Sequence, residues 1–95
     1  TGEAGATVAQ RLAAKGKRVA IVDHRPYGGT CALRGCDPKK VLISAARVVA
    51  LSEQLQHRGI AALAQITWSE LMASRQKFTE PVPLDREKSF QKAGI

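Results

Sequence analysis

Cys31 and Cys36, with four residues between them, are the side chains of this 95-residue chain best suited to do chemistry. They stand in the run Gly28-Gly29-Thr30-Cys31-Ala32-Leu33-Arg34-Gly35-Cys36-Asp37-Pro38-Lys39-Lys40. The gap is short enough for the two thiols to close a small ring, of the kind that is exposed and reducible rather than structural. Asp37-Pro38 reads as an N-cap followed by proline in the first helical position, so a helix should open just behind Cys36. The positive end of that helix, together with Lys39 and Lys40, favours a thiolate at Cys36. Asp37 works against them, because a neighbouring carboxylate raises a thiol pKa. On these residues alone two other readings stay open. A zinc site would have to recruit His24 and His57, and the cysteines could equally be two unrelated buried thiols.

A second group of residues lies at the start of the chain. Thr1-Gly2-Glu3-Ala4-Gly5-Ala6 opens a helical pattern, and a short apolar run after that pattern ends in Asp23. This matches a dinucleotide fingerprint without its first glycine and first strand. One glycine lets backbone approach a pyrophosphate, the next lets helix pack on strand, and a helix N-terminus offers free N–H groups. Gly2 and Gly5 fill those positions. Asp23 lies about 20 residues on, where an acid can take both hydroxyls of a ribose.

The elements that must position these groups follow from periodicity. Val8, Ala9, Leu12 and Ala13 give residues 5–14 a helical face, with Gly16 as its stop. Arg18–Asp23 is a continuous β-branched run, expected as a buried parallel strand, which makes helix and strand half of a βαβ unit. Residues 24–36 read as a loop rich in glycine and proline. Val41, Leu42, Ala45, Val48, Val49 and Leu55 form the stripe of a long amphipathic helix that should end at Arg58-Gly59. Residues 60–66 are ambiguous. Thr67 and Glu70 have capping-box spacing before another helix, which Pro81 and Pro83 should interrupt, and a last helix is expected over residues 84–93.

Gly-Gly-Thr-Cys, four residues, then Cys-x-Pro-Lys-Lys, behind a half-fingerprint and an acid-ended run, closely resembles the class I pyridine nucleotide-disulfide oxidoreductases. That family includes glutathione reductase, dihydrolipoamide dehydrogenase and mercuric reductase, and the Lys-Lys pair is most similar to the glutathione reductase branch. The resemblance implies an α/β fold, an incomplete Rossmann-like FAD-binding domain lacking its first strand, with long helices after the cysteine motif. Residues 1–56 would hold the half βαβ unit and the cysteine helix, and residues 57–95 a helical extension. It also implies that Gly2, Gly5, Gly29 and Thr30 serve the FAD pyrophosphate and Asp23 its ribose. Cys31 would be the interchange thiol, Cys36 the thiol against the flavin, and Lys39 or Lys40 would sit near the flavin edge with a carboxylate from outside this chain. NADPH or NADH would reduce FAD from a domain not included here. The partners would be a disulfide substrate and a second copy of a full-length cytoplasmic enzyme. Asp37 and Arg34 depart from the family, which usually has aliphatic or small residues at both places.

Composition bounds these readings. With 44% hydrophobic and 24% charged residues the chain is one soluble unit. No apolar run approaches the roughly 20 residues of a membrane span. The sequence carries no signal-peptide pattern and is expected to be a piece of a longer protein. Its net charge of +7 raises a rival, a basic module for nucleic acid or an acidic partner with non-redox cysteines. The charges are scattered singly or in pairs, and one Trp, one Tyr and two Phe offer little to stack on bases, which argues against nucleic acid.

Overall fold

The computed structural model describes residues 1–95, and its regular structure is helical. Five helices follow in order: α1 (Glu3–Ala14), α2 (Gly29–Arg34), α3 (Cys36–Gln54), α4 (Trp68–Thr79) and α5 (Val82–Lys92). The Rossmann-like α/β expectation is therefore corrected, since no sheet forms. Residues 18–23 adopt no regular structure and pair with nothing, and Val22 is 86% exposed. A strand exists by its ladder, and the only bridge in the structure is the isolated one between Gln56 and Ile60. No second β-branched run lies alongside residues 18–23, so their local preference has no partner to act on.

The molecule measures 63 × 23 × 18 Å with a radius of gyration of 19.2 Å. A compact chain of this length would have about 12 Å. Buried apolar side chains are correspondingly few, namely Ala6, Ala9, Ala32 and Phe90. Phe90 is the one large side chain fully buried, and enclosing a ring of that size is worth about 2–3 kcal/mol. Its edge meets the Tyr27 ring at a centroid distance of 6.0 Å. Through Phe90, α5 returns to the start of the chain, where Gln10 donates to Ser89 Oγ at 3.1 Å and Arg86 pairs with Glu3.

The face expected to bury α1 does something else. Ala6 and Ala9, small and one turn apart, are its buried residues, while Val8 and Leu12 face an open apolar trough of about 570 Å³ shared with residues 19–22. On α3 the stripe is realised by Pro38, Val41, Leu42, Ala45 and Val49, against which α4 packs, whereas Val48 stays 59% exposed. Ser52 continues that face and accepts the Ala64 N–H at 3.0 Å, tying the connection between α3 and α4 to the helix. Thr67 is the N-cap of α4, but its side chain makes no capping bond, so the position of the capping box was legible and its hydrogen bonds are not formed.

Candidate functional site: a disulfide at a helix start

The segment expected as a loop before Cys36 contains a helix of its own. Gly28, at φ +128°, is the N-cap of α2, and its N–H donates to Thr1 Oγ1 at 3.2 Å. Gly29, at φ +73°, lies directly against Gly2, and a Cβ there would collide with the Gly2 Cα. A Cβ on Gly28 would come within 2.8 Å of Val82 at the start of α5. The turn into α2 is thus held between the start of α1 and the start of α5, and only glycine fits either backbone or space.

That clamp sets where the cysteines sit. Cys31 is on α2 and Cys36 is the first residue of α3, with Gly35 between the helices as the α3 N-cap. The two side chains form a disulfide across a Cα separation of 4.7 Å, and no free cysteine remains. This closes the choice left by the sequence, because the thiols are bonded to each other. Gly35 permits the approach, since a Cβ there would stand 3.0 Å from Thr30 O and 3.3 Å from Cys31 Cα. Cys31 is half-buried and Cys36 exposed.

Asp37 was expected to cap α3, and the structure corrects this by one turn's logic. The helix begins at Cys36, so Asp37 lies inside its first turn and faces Lys40, whose Nζ is 2.9 Å from Asp37 Oδ1. Lys40 therefore has a carboxylate neighbour within the chain, in an exposed pair. Lys39 remains exposed and unpaired beside α4. With Asp37 neutralised, the dipole of a 19-residue helix and the cations Arg34 and Lys39 leave Cys36 in an electropositive setting.

The other site residues gather at the opposite face of the same clamp. Gly2 is the α1 N-cap and provides no side-chain cap, so the first-turn N–H groups ahead of Ala6 have no side-chain acceptor. Gly5 has open space around its Cα, and Thr30 lies one residue beyond the Gly2–Gly29 contact. Asp23 Oδ2 accepts the Thr1 hydroxyl at 2.6 Å, and Oδ1 accepts the Arg25 N–H at 3.1 Å. The Thr1 hydroxyl and the Arg25 N–H both favour the ionised form of this carboxyl. The structure thus brings Gly2, Gly29, Thr30 and Asp23 together around Thr1. Sequence reasoning missed Thr1, Gly28 and Gly35, although paired glycines ahead of a helix start carry the signal.

The chain is similar to known proteins along nearly its whole length. Over 95 residues, 99% of the chain and 21% of the relative, it is 30% identical to a glutathione reductase of Nostoc sp.. It is 32% identical to a dihydrolipoyl dehydrogenase of Bacillus subtilis over 79 residues, 80% of the chain and 17% of that protein. The chain belongs to the class I pyridine nucleotide-disulfide oxidoreductases. Its identity to a glutathione reductase of Burkholderia cepacia reaches 44%, over 46 residues, 48% of the chain and 10% of the relative. The chain spans about a fifth of the length of the relatives it matches along its whole extent. No family model matches it, and no helix is long and apolar enough to cross a membrane.

Proposed function

We propose that this chain carries the redox-active disulfide of a FAD-dependent NAD(P)H:disulfide oxidoreductase. The observation that supports it most is the Cys31–Cys36 bond joining the middle of a short helix to the first residue of a long one, in an electropositive setting. Opening the bond takes two electrons and, after protonation, leaves thiols at Cys31 and Cys36. Cys31 Sγ then attacks one sulfur of a substrate disulfide and expels the first substrate thiol. The Cys36 thiolate displaces the second and reforms the bond, so one disulfide is exchanged for another. The α3 dipole, Arg34 and Lys39 favour the thiolate on which the second displacement depends.

The residues present fit the flavin nucleotide at its pyrophosphate end. The first-turn N–H groups of α1, which no side chain caps, offer donors to an anion, and the close Gly2–Gly29 contact leaves no room for a Cβ there. Glu3, the one acid in that turn, is offset by Arg86. Gly2, Gly5, Gly29 and Thr30 would hold the pyrophosphate and Asp23 the ribose. Bound FAD would supply the electron pair, delivered to it by NADPH or NADH. On the same reading the longer enzyme works in the cytoplasm as a homodimer.

The test is colour. The longer enzyme carrying this segment purifies yellow and releases flavin on denaturation. Colourless protein that retains affinity for polyanions contradicts the proposal and favours a basic binding module.

A further inference from the structure

Reduction of the Cys31–Cys36 bond adds charge to a turn that is already charged. Two electrons and one proton break the S–S bond and leave a thiol at Cys31 and a thiolate at Cys36, where the disulfide was neutral. Cys36 is exposed at the first position of α3, and Asp37 follows it directly. Lys40 lies three residues beyond Asp37 and four beyond Cys36, so on the helix surface it can reach either side chain. In the disulfide state its Nζ is with the carboxylate, 2.9 Å from Asp37 Oδ1. The lysine side chain is 70% exposed on a flexible stem, so little else holds it there. The helices α2 and α4 pack against α3 and bring only cations to this end. Arg34 ends α2, Lys39 follows on α3, and Arg75 of α4 lines the same groove beside Gly35, with no acid among the lining residues. None of these three cations is in an ion pair. Asp37 is the only acid in α2 or in the part of α3 that precedes Glu53.

We infer that Asp37 and Lys40 together set the reduction potential of the Cys31–Cys36 bond, with Lys40 passing from the Asp37 carboxylate to the Cys36 thiolate as the bond opens. The inference rests on the oxidoreductase reading above and adds to it the poise of the disulfide. The α3 dipole and the three free cations stabilise the thiolate, and by themselves they make the bond easy to reduce. Asp37 opposes them, because the thiolate must either take the lysine away from the carboxylate or share it. The acid thus lowers the potential and makes the dithiol a stronger reductant, while the lysine limits the effect. Asp37 stands where the family usually has an aliphatic residue, so this control is a feature of this chain.

The experiment equilibrates the longer enzyme anaerobically with mixtures of reduced and oxidised dithiothreitol and quantifies alkylated Cys31 and Cys36 by peptide mapping. Dithiothreitol supplies the two electrons and two protons, one of which goes to solvent. At neutral pH, Asp37→Asn is half-reduced at an about threefold lower ratio of reduced to oxidised dithiothreitol than the wild type, ~14 mV for a two-electron couple. Lys40→Met needs an about threefold higher ratio. Asp37→Glu, which keeps the charge, and the double variant Asp37→Asn/Lys40→Met both match the wild type. The Asp37→Asn shift shrinks as pH falls, because a protonated Cys36 carries no charge for the carboxylate to oppose. Opposite shifts in the two single variants distinguish charge from altered packing. Single variants that shift in the same direction, or an Asp37→Asn curve that overlies the wild type at every pH, overturn the control of potential and leave the oxidoreductase reading standing. A wild-type bond that neither dithiothreitol nor NADPH or NADH opens overturns both.

Discussion

Lys40 Nζ lies 2.9 Å from Asp37 Oδ1, so the lysine that follows the cysteine motif is tied to the acid that intrudes into it. The pair spans one turn at the start of α3, directly behind Cys36. Removing the lysine unmasks the carboxylate next to the thiol, and removing both restores the balance. Lys40→Met is expected to disfavour the Cys36 thiolate and slow alkylation of the reduced protein at neutral pH about two- to threefold, the scale of an exposed ion pair. Lys40→Met/Asp37→Asn should return the rate to that of the wild type. The pH dependence of iodoacetamide labelling measures both, and identical profiles for the single variant and wild type would refute the coupling.

The Gly2–Gly29 contact makes a sharper prediction about structure. Gly29→Ala forces a Cβ into the Gly2 backbone at φ +73°, and strain in that region alone costs about 1–2 kcal/mol. Gly5→Ala meets nothing within 4 Å and replaces a helix-interior glycine, so it should be neutral or stabilising by up to ~1 kcal/mol. Thermal unfolding of the two variants separates them, and equal melting temperatures would count against the packing described.

Phe90 and the Arg86–Glu3 pair both join α5 to the start of the chain, but their weights differ. Phe90→Ala empties the largest buried position and should cost about 3 kcal/mol or more. Arg86→Ala should cost under ~1 kcal/mol, because its partner Glu3 is exposed to solvent. Limited proteolysis between α4 and α5 should accelerate in the first variant and barely change in the second.

Asp23 gives stability a defined pH dependence. Its carboxylate accepts the Thr1 hydroxyl and the Arg25 N–H, so it stabilises the fold when ionised, above the unfolded pKa of about 3.9, and less as pH falls below that value. Asp23→Asn should therefore lower stability at neutral pH and leave acid stability little changed. Curves for the two proteins that stay parallel below pH ~4 would show that the Thr1–Asp23 bonds add nothing.

The helices were legible and the sheet was not, for a physical reason. Helices α1, α3, α4 and α5 are specified by local periodicity and by punctuation such as Gly16, Pro81 and Gly94. The run Arg18–Asp23 has strand preference, but its state depends on a distant partner that local preference cannot supply. Helix α2 hid behind two glycines that read as loop, because their role is to make a close approach visible only in three dimensions. The same blindness misplaced Asp37: a cap and a first-turn residue differ by whether Gly35 can bend, which depends on Thr30 and Cys31 crowding it. The cysteine pair was the most legible part of the site, since short spacing and glycine on both sides already favoured the bond that forms between them.

Thiol counting on the longer enzyme tests the central claim most directly. Titration under denaturing conditions, before and after anaerobic addition of one equivalent of NADPH or NADH, should show a gain of two thiols, assigned to Cys31 and Cys36 by peptide mapping, and no gain in Cys36→Ser. No gain in the wild-type protein with either nucleotide would contradict a redox-active Cys31–Cys36 pair.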